Sequence, residues 1–176
     1  MKKLLLVAAI AALAPMPAMA IDGTITVNGQ VTTATCKIGG AASPAAIAVT
    51  LPTVSTTALN TLGATAGNKL FTIALTECGT SLTRAITYFE HGPNIDTGTG
   101  FLKNTAAGGA GNVQVRLLNG DMSPIKLHLA SGAQESSEAT ITSGAANLNY
   151  YAQYYALGQA TAGTVSTSVQ FTMQYQ

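Results

Sequence analysis

The last fourteen residues of the chain constrain its fold more than any other feature, because they alternate without a break. From Gly163 onward, Val165, Thr167, Val169, Phe171, Met173 and Tyr175 fall on one face. Thr164, Ser166, Ser168, Gln170, Thr172, Gln174 and Gln176 fall on the other. Successive side chains of a strand point to opposite sides, so a period of two describes a strand with one buried and one wet face. No turn and no further strand comes after it in the sequence, so a sandwich ending here is expected to expose the edge of its final strand. An exposed edge is a template for pairing with another chain.

The other terminus carries a matching pattern. Met1 to Ala20 reads as a secretory signal peptide: Lys2 and Lys3 form the charged start, Leu4 to Leu13 the apolar run, and Ala18-Met19-Ala20 the small-residue cleavage site. The apolar run is too short to span a bilayer, which takes about twenty residues. The mature chain is then expected to begin at Ile21 and to hold 176 − 20 = 156 residues. Residues 21–33 read as an N-terminal extension and 34–176 as one domain. In the extension Ile21, Gly23, Ile25, Val27, Gly29 and Val31 share a face, and Asp22, Thr24, Thr26, Asn28 and Gln30 share the other.

Composition narrows the class. Of 8 basic residues two leave with the signal peptide, so 6 face 7 acidic ones and the mature net charge is −1. Nucleic acid and anionic membrane both call for a basic patch, and neither is suggested. Charged residues make up only 9% of the chain, giving a polar but largely uncharged surface of the kind that packs against copies of itself. Two cysteines remain, Cys36 and Cys78, and in a secreted chain an even count favours a disulfide. Closing a loop of about 43 residues would stabilise the fold by roughly 4 kcal/mol in the chain-entropy picture. A free catalytic thiol is the alternative, but neither His91 nor His128 has an evident link to one.

Between the termini the pattern is one of short strands and polar turns. Ile47, Val49 and Leu51 alternate before Pro52, and Phe71, Ile73 and Leu75 alternate ahead of Cys78. Ala85 to Phe89 is a compact β-prone run, and Leu148 to Leu157 divides Tyr150, Tyr151, Tyr154 and Tyr155 between two faces. Val113, Val115 and Leu117 lead into Asn119-Gly120-Asp121, with Ile125, Leu127 and Leu129 beyond, which predicts a hairpin. Thr57 to Leu62 fits a short helical turn, and no segment sustains a helical period. About eight strands without a linker or repeat point to an all-β sandwich.

Taken together, these residues resemble a structural subunit of chaperone–usher fimbriae, of the kind typified by the major pilin of type 1 fimbriae. The likeness runs over the whole mature chain. Gly23-Thr24-Ile25-Thr26-Val27-Asn28-Gly29-Gln30-Val31 leads into Cys36, Phe71 to Cys78 is similar to the strand bearing the second cysteine, and Gly163 pairs with a penultimate Tyr175. The resemblance implies an immunoglobulin-like β-sandwich that lacks its final strand and is completed by a donor strand from another subunit. Such β-strand addition is a known recognition mode of which chaperone–pilin complexes are a standing example.

By that resemblance the donor face is Ile21, Gly23, Ile25, Val27, Gly29 and Val31. The acceptor groove and chaperone contact fall to Gly163, Val165, Val169, Phe171, Met173, Tyr175 and the carboxylate of Gln176. The implied partners are copies of the chain or other pilins in a fibre, a periplasmic chaperone and an outer-membrane usher. A host-surface receptor would be met through the assembled fimbria. The implied route runs through the periplasm to the surface of a Gram-negative cell. No catalytic residue, cofactor or metal is expected: His91 and His128 have no carboxylate motif beside them, and Gly98-Thr99-Gly100 and Gly108 to Gly111 lack the strand–helix setting of a phosphate loop. The alternatives are a minor adaptor subunit, a single-domain carbohydrate-binding adhesin in which the tyrosines stack on sugar, and a self-sufficient secreted sandwich with a complete strand set.

Overall fold

A computed structural model describes residues 25–27, 29, 31, 33, 35–41 and 45–176. The chain divides into two units, Met1–Val31 and Thr32–Gln176. In the first unit the signal peptide, Ile21 and Gly23 lie outside the described residues. Ile25, Val27, Gly29 and Val31 are described, belong to no strand, and the three apolar side chains among them are almost fully exposed.

Among the described residues the second unit is all β apart from one 3-10 turn at Thr56–Leu59, where the expected helical turn forms. Its cap is the Ser55 side chain, which accepts from the Thr57 N–H. Its described strands are β1 (Lys37–Ile38), β2 (Thr65–Thr76), β3 (Arg84–Phe89), β4 (Leu102–Lys103), β5 (Val113–Asn119), β6 (Glu138–Thr140), β7 (Ala146–Ala156) and β8 (Phe171–Tyr175). They build two antiparallel sheets, one of five strands in the order β1-β2-β7-β5-β4 and one of three in the order β6-β3-β8. The two inner faces meet in the main core, and Leu59, Val113, Ala156 and Ala160 form a second, smaller cluster.

The alternation in the sequence explains which residues reach that core. Ile73 and Leu75 of β2, Leu148, Tyr150 and Ala152 of β7, and Val115 and Leu117 of β5 point inward from the large sheet, opposite Ala85 and Phe89 of β3. Tyr150 is the hub: its ring centroid lies 5.7 Å from that of Phe71 and 5.6 Å, edge-on, from that of Phe89. Burial pushes its phenol above the ordinary value, while its hydroxyl keeps partners at Ser136 Oγ (3.2 Å) and Ser137 O (3.4 Å). A fully buried tyrosine of this kind needs a partner for its hydroxyl.

Cys36 and Cys78 are joined, with sulfurs 2.02 Å apart and both residues buried. The bridge ties the segment entering β1 to the end of β2, two neighbours already paired through Lys37–Thr76.

The predicted hairpin forms only in its first strand. Beyond the Asn119-Gly120-Asp121 turn a single bridge, Leu118 to Pro124, replaces a ladder. That bridge is flanked by bonds from the Asn119 N–H to the Ser123 carbonyl (2.9 Å) and from the Ile125 N–H to the Leu117 carbonyl (3.0 Å), and beyond it the same edge of β5 is taken by β4 at Leu102–Val115. The buried Gln134 amide then takes up the backbone of the second half, donating to the carbonyls of Leu127 (3.2 Å), Leu129 (3.1 Å) and Phe89 (2.8 Å) while its oxygen accepts from the Phe89 N–H (3.0 Å). Ile125 and Leu127 remain fully buried core residues without being strand residues.

Candidate functional site

The final alternating run is a strand only over its last part. β8 covers Phe171–Tyr175 and pairs with β3 through Phe89–Phe171 and Ala85–Tyr175. Residues 164–170 keep the same alternation of half-buried and exposed side chains but join no ladder. What holds them is a set of side chains and loop amides on the outer flank. The Asn104 amide nitrogen donates to the carbonyls of Thr164 (3.0 Å) and Ala110 (2.9 Å), and its oxygen accepts from the N–H groups of Ser166 (2.9 Å) and Ala106 (3.1 Å). Thr105 donates to the Ser166 carbonyl from both its N–H (2.8 Å) and its hydroxyl (2.9 Å). Asn94 donates to the Ser168 carbonyl (3.0 Å), and the Glu90 N–H to that of Gln170 (2.8 Å).

Every one of these bonds to the run falls on an even-numbered residue. In a strand the backbone groups of alternate residues point to opposite edges. The amides and carbonyls of Val165, Thr167 and Val169 are therefore aimed the other way, and they find no backbone partner among the described residues. That side is open. A groove of ≈ 1630 Å³ runs along it. Its far wall is the extended segment Ala45 to Leu51, where Ala45, Ile47, Val49 and Leu51 pack on the core and no ladder forms among the described residues. Phe71, Val115, Leu117 and Tyr154 belong to its floor.

The groove exceeds a small-molecule cleft, which runs to about 1,000 Å³. From Val165 to Tyr175 its wall extends ten steps, or about 34 Å at strand rise. It is apolar along its base and presents unpaired backbone on one wall, which are the needs of an added β-strand.

Of the residues singled out in the sequence, Val165, Val169, Phe171, Met173 and Tyr175 line this groove together. Burial raises the Tyr175 phenol above its ordinary value, and likewise that of Tyr154. Met173 Sδ also receives the Thr87 hydroxyl at 3.6 Å, linking it to β3. Gly163 and Gln176 stand beyond the lining. An added Cβ on Gly163 would lie 2.4 Å from the Ala110 nitrogen and 2.6 Å from the Gly109 carbonyl carbon, so this glycine lets two backbones cross. The Gln176 carbonyl accepts from the Thr83 N–H (2.6 Å) and hydroxyl (3.0 Å) and from the Arg84 N–H (3.0 Å), which moors the end of β8.

Sequence reasoning missed Asn94, Asn104 and Thr105, since nothing in an isolated loop asparagine marks it as the support of a distant strand. The Ile47, Val49 and Leu51 alternation was visible, though its place across the groove was not. The four tyrosines do not make a common platform: Tyr150 is core, Tyr151 is half-buried, Tyr154 faces the groove, and Tyr155 lies on the outer face against Phe101 (4.8 Å) and under Arg116 (6.0 Å). His91 Nε2 is bonded to the Leu129 carbonyl at 2.9 Å.

A family model described as Type-1 fimbrial protein, A (FimA), matches residues 51–176, which hold the floor of this groove and its β8 wall. The chain belongs to the type-1 fimbrial protein family. Among its relatives, the major fimbrial subunit SMF-1 of Stenotrophomonas maltophilia (strain K279a) is 48% identical over 169 residues, covering 93% of this chain and 98% of that one. The F17 fimbrial protein of Escherichia coli is 41% identical over 172 residues, covering 95% and 94%. A solved chain from a chaperone–usher pilus has the same fold, with a TM-score of 0.59 at 18% identity over 93% of this chain and 100% of that one. The chain is thus a structural fimbrial subunit with an immunoglobulin-like sandwich, and the family is one of structural proteins.

Proposed function

We propose that the subunit polymerises by strand addition, with residues 21–31 of one copy filling the open groove of the next. The observation that carries this reading is the pairing of an unpartnered backbone edge at Val165, Thr167 and Val169 with an apolar groove beside it. The same chain supplies an alternating segment whose Ile25, Val27 and Val31 are exposed. Residues 21–33 act as the donor extension and 34–176 as the acceptor domain. Burying Ile21, Ile25, Val27 and Val31 contributes about 1.5–3 kcal/mol each. Eleven residues of ladder bonding add to that, so the joint resists dissociation.

An open apolar groove aggregates unless covered, so a periplasmic chaperone holds it until an outer-membrane usher delivers the next subunit, and the fibre emerges at the cell surface. Adhesion to a host surface is a property of the assembled fimbria. A minor adaptor would carry the same two features, but the relatives at 48% and 41% identity are named as a major fimbrial subunit and a fimbrial protein.

The test is a thermal melt of the disulfide-intact chain lacking residues 21–33, with and without a synthetic peptide of those residues. A large rise in Tm with peptide is expected. A protein already very stable, and indifferent to the peptide, would mean that the sandwich is complete without a donor. Replacing Gly23 with a bulky residue is expected to block polymerisation while leaving capture by the chaperone intact.

A further inference from the structure

The basic residues of the second unit are few, and their pairing is uneven. Lys37, Arg84 and Lys126 each meet a carboxylate, at Glu77, Glu138 and Glu135. Lys69, Lys103 and Arg116 meet none among the described residues, and all three belong to the five-stranded sheet. Arg116 is the unusual one, because it is half-buried and burial lowers its guanidinium below the ordinary value. A charge taken partly out of water without a counter-charge is unfavourable until something pairs with it.

What surrounds Arg116 prepares it for a partner. Val115 and Leu117 point into the core, so Arg116 between them points out of the sandwich. Its Nε donates to Gln153 Oε1 (2.6 Å), directly across on β7, and the Gln153 amide donates in turn to Asn68 Oδ1 on β2. These amides fix one side of the guanidinium, and its two terminal nitrogens have no hydrogen-bond partner among the described residues. The guanidinium carbon lies 6.0 Å from the Tyr155 ring centroid, and the Phe101 ring meets Tyr155 edge-on at 4.8 Å. Asp96, in the loop that brings Phe101, is committed to the Gly98 and Thr99 N–H groups (2.9 and 3.0 Å). Lys103 lies opposite Gln114 and shares the outward face with Arg116.

An oriented guanidinium with free nitrogens binds a carboxylate through two parallel bonds. Aromatic rings beside it offer the C–H face of a sugar ring an apolar surface. Exposed Asn68 and Lys103 add donors for hydroxyl groups.

We propose that the outer face of the five-stranded sheet, at Arg116, Tyr155 and Phe101, binds an acidic saccharide whose ring carboxylate pairs with the guanidinium. A nucleic acid fits less well, since three free cations on a mature chain of 6 basic and 7 acidic residues make no basic patch. The site lies on the opposite face of the sheet from the groove, so a donor strand in the groove does not cover it. In a fibre it repeats with every subunit, and weak contacts then sum. That repetition rests on polymerisation, whereas the site itself does not.

The test uses the full-length mature chain with Cys36–Cys78 intact. Ligand-observed NMR gives dissociation constants for methyl glucuronide against methyl glucoside, for sialyllactose against lactose, and for acetate. At least one acidic sugar is expected to bind about tenfold or more tightly than both its neutral counterpart and acetate. Arg116→Lys keeps the charge but removes the fork, and is expected to lose about tenfold. Phe101→Ala should lose about fivefold for the sugar and nothing for acetate. Arg84→Gln, on the other sheet, should match wild type, and urea midpoints check that each variant folds.

Equal binding of acidic and neutral sugars, acetate bound as tightly as the sugar, or indifference to Arg116→Lys would each overturn the proposal. So would an Arg116→Gln variant that changes sedimentation but not sugar binding, which would make this face a contact between copies. Absence of binding in both sugar pairs would overturn the site while leaving strand addition standing, since the peptide melt reads the groove separately.

Discussion

Gly163→Ala isolates the crossing that supports the open wall. The new Cβ would stand 2.4 Å from the Ala110 nitrogen, 2.6 Å from the Gly109 carbonyl carbon and 2.9 Å from the Ala110 Cα. All three are backbone atoms, so no side-chain rotation relieves the clash and the two segments must part. Overpacking of this kind costs about 1–3 kcal/mol. Parting also strains two bonds to the Thr164 carbonyl, from the Ala110 N–H (2.9 Å) and the Asn104 amide (3.0 Å), each worth about 1 kcal/mol net. The stiffer unfolded chain returns about 0.4–1 kcal/mol.

The expected net loss is therefore about 2–4 kcal/mol, which at a urea slope of about 2 kcal/mol/M lowers the midpoint by about 1–2 M. Gly92→Ala is the matched control, since nothing lies within 4 Å of a Cβ placed there. Urea unfolding of both variants with the disulfide intact supplies the comparison. If Gly163→Ala stayed within about 0.5 kcal/mol of Gly92→Ala, backbone crossing would not be what the glycine provides.

Asn104→Ala removes four hydrogen bonds to the wall and its supporting loop, and is expected to cost about 2–4 kcal/mol. Hydrogen exchange should quicken at Ser166 and the neighbouring amides ahead of β3, and uniform exchange would contradict the clamp. Replacing Cys36 and Cys78 together by serine opens a loop with a sequence separation of 42 and should cost about 4 kcal/mol, read as a urea midpoint shift. The Tyr150, Tyr154 and Tyr175 phenols all have folded values raised above 10.0 by burial. Their contribution is thus fully present below pH 10 and is lost as the pH climbs through the raised values. Unfolding midpoints between pH 8 and pH 11 should fall less steeply for Tyr150→Phe than for wild type, and parallel curves would count against it.

Much of this protein is legible because strand periodicity is local. The alternation from Val165 to Tyr175 names the residues that share an inward face, whatever they pack against. The same holds for Ile73 and Leu75, and for Ala85 to Phe89. Only the sequence reaches Ile21 and Gly23, which lie outside the described residues, and their sharing a face with Ile25 and Val27 rests on period alone. Where local pattern failed, a distant group had intervened: Ile125, Leu127 and Leu129 alternate like a strand, yet β4 occupies the edge of β5 beyond Leu117 and Gln134 takes the carbonyls of Leu127 and Leu129.

The sequence by itself determined which side chains face inward, the export signal and the presence of a two-cysteine staple, since each depends on neighbours in the chain. Tertiary structure alone decided that the last strand is half ladder and half clamp, that Asn104 and Asn94 hold the clamped half, and that Ala45 to Leu51 stands across from it. Those facts depend on residues brought together from 60 or more positions away, as Asn104 and Thr164 are. An edge is open or closed only by virtue of what lies beside it in space, and a periodicity of two carries no record of that.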